Sequence, residues 1–584
     1  GEVTLSYISY VFPVAVLALI GLLYWGTPDL RSAELGAAGE KNFCRRDALL
    51  LSVIIILYAC VAFYKLGDRE APQSFKHFSE GESVTVDLGE DTVINEILYY
   101  SGLGTGKCAV EYSQDGVIYF LAGSLEQSYA DLFKWNSAEF LDGAESTARY
   151  IRLTASSDLY VGELSIRTEK GEIAGEGELF DEQSIVPDYM TYLNSTYFDE
   201  IYHARTAYEH LEGVSPYEIT HPPLGKLIIA IGIKIFGMTP FGWRFSGTLF
   251  GVLMLPILYV FLKKMFGGRA VPASGTVIFA TDFMHFTQTR IATIDTYAVF
   301  FILLMYLFMY LFISGGRRTH LALSGVFFGI GVACKWTCFY AGAGLAVIWL
   351  IYWLRHFEIK AFLKNCLFCI AFFVIIPAAI YYASYIPYGI AKGMNGAGML
   401  FTGDYAKLVL DNQQYMLSYH SGVHSEHPYS SRWYLWVLNI RPILYYLQYY
   451  TEGKRSSFGA FLNPVLCWAG LIALGMNVYL AIWRKDKAAE FIVIGYMAQL
   501  LPWVFITRTT FEYHYFPSAV FLLLAMCRVF ALMRENRSDW RIGVYGFTGL
   551  SAALFLMFYP VLSGMLVDAD LASALLKWLP TWPF

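Results

Sequence analysis

Hydrophobic positions along this chain gather into long, nearly unbroken runs, and one polar stretch with a different rhythm interrupts them. Runs near 5–25, 48–65, 241–262, 270–287, 292–314, 320–335, 338–354, 361–386, 457–483, 489–506, 512–533 and 541–563 approach the length of about 20 residues that a bilayer requires. They predict about twelve transmembrane helices. The first run lacks a basic leading region and a small-residue cleavage site, so it reads as a retained span and not as a signal peptide. Residues 70–172 alternate instead, as in Ser83-Val-Thr-Val-Asp-Leu88, Cys108-Ala-Val-Glu-Tyr112 and Arg149-Tyr-Ile-Arg-Leu-Thr154. With turn signals at Asp115-Gly116 and Asp142-Gly143, that period of two predicts an antiparallel β-sandwich.

The resulting order is two helices in 1–69, the sandwich in 70–172 and a polar loop in 173–240. Helices in 241–386, a long loop in 387–456 and C-terminal helices in 457–584 follow. Within the first polar loop, Pro222-Pro223 forbids helix until Leu224. Leu224–Phe236 is then expected as an amphipathic helix at the membrane interface.

Charge orients these spans. Arg31, Lys41, Arg45 and Arg46, then Lys263, Lys264 and Arg269, then Arg317 and Arg318 occupy successive loops on one side. Arg355, Lys360 and Lys364, then Arg484, Lys485 and Lys487, then Arg534, Arg537 and Arg541 continue the series. By the positive-inside rule that side is cytoplasmic, and loops 66–240 and 387–456 face outward at the plasma membrane.

Composition agrees. The chain is 56% hydrophobic and 15% charged, against about 25% charged for a soluble domain. No basic stripe exists for nucleic acid. Cys108 is the single cysteine of the insert, which excludes an internal disulfide there, and Cys366 and Cys369 read as small buried hydrophobes. A transporter would show matched repeats with broken helices, and no such repeat is present.

The candidate chemistry lies in the outward loops. Asp199 and Glu200 place adjacent carboxylates beside a bilayer, where ionisable groups are functional by default. Arg244 opens a span at the outer face, with a guanidinium suited to phosphate. Arg290, Lys335 and Arg508 also fall at outer span ends, and together predict a cationic pocket for a phosphate, with Asp295 as a partner for Arg290. His221 and His514 are candidates for orienting loops or touching that phosphate. His420, His424 and His427 with Glu426 form either a metal set or a polar loop. Asn194-Ser-Thr196 is a sequon to which no role is assigned.

Several ordered segments carry a resemblance. They are Phe198-Asp-Glu200, His221-Pro-Pro-Leu-Gly-Lys226, Phe241-Gly-Trp-Arg-Phe-Ser246, Thr289-Arg-Ile-Ala-Thr-Ile-Asp295, Cys334-Lys-Trp-Thr337, Pro428-Tyr-Ser-Ser-Arg-Trp-Tyr434, Arg441-Pro-Ile-Leu-Tyr-Tyr446 and Tyr513-His-Tyr-Phe-Pro517. From about 187 to 563 the chain resembles the protein O-mannosyltransferases, polytopic helical membrane enzymes of C-type glycosyltransferase architecture. The resemblance implies inverting transfer of mannose from a polyprenyl-phosphate carrier to Ser or Thr of exported polypeptides, with no metal cofactor required. It implies Asp199 as catalytic base, Glu200 as acceptor contact and Arg244 as an active-site arginine at the donor phosphate. Another polyprenyl-phosphate sugar, or a lipid or cell-wall glycan acceptor, is the alternative.

Two departures stand out: the family's usual inserted module is missing from loop 387–456, and a sandwich precedes the Asp-Glu pair. Residues 148–167 of the insert resemble the close of discoidin-like (coagulation factor type C) jelly rolls, many of which bind sugars. That implies a glycan contact, with Trp135 and Tyr160 as candidate surfaces, and the alternative is a structural spacer.

Overall fold

The computed structural model describes the chain except for residue 1, 37–38, 142–146, 174, 423 and 425, and leaves aside the side chains of 2–8 and 397. The predicted Asp142-Gly143 turn lies outside the described residues. The chain divides into two compact units. One comprises Gly1–Tyr64, Gly213–Ile228 and Gly247–Phe584, the other Lys65–Glu212 and Ile229–Ser246.

The first unit is helical. Among the described residues, eight helices are long and apolar enough to cross a membrane, and Ser9–Tyr24, Ala270–Ala280 and Arg318–Cys334 are shorter apolar helices. The expected span 489–506 is the helix Lys487–Val504. The expected count of twelve is therefore not reached by length and apolarity alone.

Two expected spans differ in form. The 270–287 run is broken into Ala270–Ala280 and Phe283–Arg290, because Asp282 caps the second helix by accepting from the His285 amide at 2.9 Å. Asp282 also accepts from the Asn463 amide at 2.8 Å. The 457–483 run begins as a strand, Lys454–Ala460, paired antiparallel with Ile443–Tyr449, and becomes helical only from Val465.

Lys263, assigned to a cytoplasmic turn, and Arg528 are both buried in ion pairs. Lys263 is buried against Asp47 at 3.1 Å, with the Tyr259 hydroxyl donating to the same carboxylate at 2.7 Å. Arg528 meets Asp486 at 2.5 Å, and Asp486 also caps Lys487–Val504. Burying these charges is tolerable because each is paired and hydrogen-bonded.

The second unit contains the β-sandwich. Its strands are β1 (Lys76–Phe78), β2 (Ser83–Ser101), β3 (Gly106–Ser113), β4 (Phe120–Gln127), β5 (Trp135–Ser137), β6 (Glu139–Phe140), β7 (Thr147–Ala155), β8 (Leu159–Thr168) and β9 (Gly171–Ile173). All pairings are antiparallel. The long β2 pairs with β7 from Ser83 to Val93 and with β8 from Ile94 to Ser101, so one strand serves both layers. β3 and β4 extend one layer, while β5 and β9 complete the other. Alternation puts Val86, Val110 and Ile151 from one layer against Ile97, Leu164 and Ile166 from the other in a single apolar core.

Among the described residues of this sandwich, one acidic side chain is buried. Glu163 accepts from Gln183 and from the Glu182 amide, and burial pushes its carboxyl up to about 7, above the usual glutamate value. The folded state therefore holds a proton that the unfolded chain releases. Stability falls as pH rises from about 4.5 through about 7. Limited proteolysis of the sandwich should be slower at the acid end of that window, and Glu163→Gln should flatten the dependence.

Candidate functional site

Tyr197-Phe-Asp-Glu200 enters the helix Glu200–Glu212 through a left-handed residue, Phe198, with φ +47°. Such backbone in a bulky residue is strained and persists only where its surroundings hold it. The Asp199 carbonyl accepts from the amides of Tyr202 at 3.1 Å and His203 at 3.0 Å, which makes Asp199 the last residue before the helix. Its side chain is half-buried. The helix N-terminus favours a carboxylate here.

The clamp that holds this entry is Glu200 on Arg244. Glu200 is 0% exposed and Arg244 1%. Nε of Arg244 donates to one carboxylate oxygen at 2.8 Å and Nη2 to the other at 2.8 Å, and the Trp243 indole donates to Glu200 at 3.1 Å. Arg244 also donates to the carbonyls of Leu66 and Ser195, both at 2.9 Å, and stacks under Tyr197.

Glu200 is turned inward to Arg244. The Arg244 guanidinium is engaged by protein atoms on each of its nitrogens. The physical reason is geometric: a planar fork beside a carboxylate closes a bidentate pair before either group reaches solvent.

The sandwich supports the same loop. Ser195 Oγ accepts from the Trp135 amide at 3.1 Å, Thr196 Oγ1 donates to the Leu132 carbonyl at 2.9 Å, and the Thr196 amide donates to Phe133 at 3.2 Å. Tyr129 stacks on Tyr202, and Phe133 meets Tyr208 edge-on. The sequon residues Asn194, Ser195 and Thr196 are all buried in this seam. Trp135 is buried against Tyr100, which removes it as a sugar platform, whereas Tyr160 is exposed and packs on His77.

A second set of predicted residues converges within the helical unit. The Glu218 carboxylate accepts from His221 Nδ1 at 3.0 Å and from Lys226 Nζ at 2.5 Å, and Lys226 also donates to the His221 carbonyl at 3.0 Å. His420 donates through Nε2 to the Thr220 carbonyl at 2.7 Å, and its ring lies 5.1 Å from that of His221. Lys335 reaches Asp295 at 2.5 Å and lies 5.6 Å over the Tyr513 ring. Lys335 and Arg508 are within electrostatic reach of both His420 and His514.

Burial lowers the His221 imidazole, against the opposing pull of Glu218, and lowers His420 to about 4. Neutral imidazoles leave the positive charge of this cluster to Lys335 and Arg508. Arg508 is half-buried over Trp503 and makes no hydrogen bond or ion pair among the described residues. His514 is packed between Trp436 and Trp503, with Nδ1 on the Phe511 backbone.

Arg290 donates to the carbonyls of Ala62 at 3.0 Å and Tyr64 at 2.9 Å. The expected Arg290–Asp295 pair is replaced by Lys335–Asp295, because Lys335 follows the end of the helix Arg318–Cys334 with its ammonium on that carboxylate. Sequence reasoning missed Glu218 and Lys226 as the staple of the His-Pro-Pro turn, although Lys226 ends the motif that was singled out.

Among the described residues, metal-type ligand atoms gather only at Glu163, Asp181 and Glu182. Those oxygens are engaged by Gln183, Ser74 and backbone amides. His420, His424 and His427 form no such group.

Residues 406–582 match the family described as the C-terminal four-TMM region of protein-O-mannosyltransferase, and 220–381 match that of dolichyl-phosphate-mannose-protein mannosyltransferase. Together these stretches span more than half of the chain, and neither includes the sandwich strands or Asp199. The polyprenol-phosphate-mannose–protein mannosyltransferase of Mycolicibacterium smegmatis is 25% identical over 451 residues, covering 66% of this chain and 87% of that protein. Its counterpart in Mycobacterium tuberculosis is 25% identical over 461 residues, covering 67% and 88%. Among solved structures, the S. cerevisiae protein O-mannosyltransferase Pmt1-Pmt2 complex bound to the sugar donor is similar with a TM-score of 0.59 and 13% identity. That match covers 67% of this chain and 89% of that one, and establishes a shared fold.

Proposed function

Because the chain belongs to the protein O-mannosyltransferase family, we propose that this multi-pass membrane glycosyltransferase moves mannose from a polyprenyl-phosphate carrier to Ser or Thr hydroxyls of exported polypeptides. The observation that carries the site reading is the cluster of Lys335 and Arg508 beside neutral His221 and His420, with no carboxylate paired to Arg508 among the described residues. The reaction faces outward at the plasma membrane, supported by the one-sided distribution of basic turns.

In the proposed step Asp199 accepts the proton of the acceptor hydroxyl. The hydroxyl oxygen forms a bond to the anomeric carbon as the bond from that carbon to the phosphate oxygen breaks. Attack opposite the leaving group inverts the anomeric centre. Lys335 and Arg508 meet the charge that develops on the departing polyprenyl phosphate. Lys335 is held in place by Asp295, and the Glu218–Lys226 staple fixes the turn that carries His221. Glu200 and Arg244 act as positioning residues, fixing the strained entry on which Asp199 sits. No step calls for a divalent metal, so a chelator is expected to leave the rate unchanged.

The test is transfer by the purified full chain in liposomes, with polyprenyl-phosphate mannose as donor and a Ser/Thr-rich peptide as acceptor. Mannosylated peptide of inverted configuration is the expected product. Folded protein that transfers nothing to the peptide, but acts on another polyprenyl-phosphate sugar or a glycan acceptor, would overturn the substrate assignment. Arg508→Ala should raise KM for the donor about tenfold or more, through loss of a charge-assisted contact. It should not move Tm, because the guanidinium makes no hydrogen bond within the described chain.

A further inference from the structure

The hairpin of Ile443–Tyr449 and Lys454–Ala460 contains polar groups that the protein does not satisfy. Arg455 is 5% exposed and Ser457 1%. Nε and Nη2 of Arg455 and Oγ of Ser457 are all buried without a hydrogen-bond partner among the described residues. The carboxylates nearest in the strand order are engaged elsewhere. Glu452 pairs with Lys454 at 3.4 Å, and Asp568 caps the Leu571 amide at 2.9 Å. A buried guanidinium without a counter-charge is costly, so its persistence implies that an anion completes it.

The arrangement also states the kind of anion. Arg455 and Ser457 are two apart on one strand, so both project from the same face. A planar fork beside a hydroxyl donor matches a phosphate. Their register partners on that face, Tyr449 and Leu447, are 66% and 40% exposed. On the other side Arg455 pairs with Val567, and the preceding Met565 and Leu566 are exposed. Buried phosphate donors rimmed by exposed apolar side chains fit an amphiphile better than a free ion. We propose that Arg455 and Ser457 bind the phosphate head of a membrane lipid whose tail lies over Leu447 and Tyr449.

Arg455 lies on this hairpin, whereas Lys226, Lys335 and Arg508 lie on other segments of the chain. This site goes beyond the transfer reaction and does not depend on it.

The test uses the full-length protein in detergent, with dihexanoyl phosphatidic acid and inorganic phosphate as probes in thermal-shift and calorimetric titrations. Phosphatidic acid should raise Tm of the native protein. Arg455→Met should weaken lipid binding about tenfold or more, by loss of charge-assisted hydrogen bonds. It should also raise Tm of the ligand-free protein, because an uncompensated buried charge is gone. That increase separates lost binding from lost folding. Ser457→Ala should weaken binding by a smaller factor with Tm retained. Equal lipid affinity in native protein and Arg455→Met would overturn the site. Inorganic phosphate binding as tightly as the lipid would overturn the lipid assignment and leave a free-anion site.

Discussion

Asp199→Asn is expected to lower mannosyl transfer by about two to four orders of magnitude, the range for loss of a general base. Asn keeps the shape and a hydrogen-bonding oxygen but cannot accept the hydroxyl proton at the pH of the reaction. The fold should survive, because what starts the helix is the Asp199 backbone carbonyl, bonded to the amides of Tyr202 and His203. The entry itself is clamped by Glu200 and Arg244. The loss should therefore appear in kcat with little change in donor KM, and Tm should stay within about a degree or two of the native value. Transfer at near-native rate in a folded Asp199→Asn protein would remove Asp199 as the base.

The second large effect concerns stability. Truncating Arg244 to Met, or neutralising Glu200 as Gln, leaves its partner charged and buried. Breaking such a pair costs about 3–5 kcal/mol. The Arg244 change also orphans the carbonyls of Leu66 and Ser195 and removes the support under Tyr197. Unfolding in mild detergent should show a large loss in either single variant. The double variant Glu200→Gln with Arg244→Met should be less destabilised than the sum of the two, since neither charge is then left alone. A phosphate ligand would behave otherwise: its loss would raise donor KM and leave Tm in place. Additive effects of the two changes would refute the clamp.

These two outcomes separate two residues that are adjacent in sequence. Asp199 and Glu200 differ by one position at a helix start, and a rotation of about 100° per residue sends their side chains in different directions. Glu200 turns into the protein to meet Arg244, while Asp199 remains half-buried at the helix entry. Sequence reading recognised both acids and Arg244 as unusual for their setting, but it could not decide which of them face each other.

The apolar runs by themselves determined that the chain spans a membrane many times, since only helices hide that much backbone in lipid. Alternation determined that residues near 83–154 form strands, and the pairing of β2 with β7 follows that period. The Pro222-Pro223 stop determined the start of Leu224–Phe236, because proline forbids helix before it. The order of the motifs determined the family.

Tertiary structure alone decided the partners of the charges. Lys335 takes Asp295 from Arg290, Arg244 takes Glu200 from solvent, and Lys263 is drawn inward to Asp47. It also decided that the 457–483 run begins as a strand and that the sandwich supports the Asp199 loop. Each of these depends on groups distant in sequence arriving within a few ångströms of one another. Hydrophobic periodicity is a local property and can be read along one dimension, whereas charge pairing depends on three-dimensional distance.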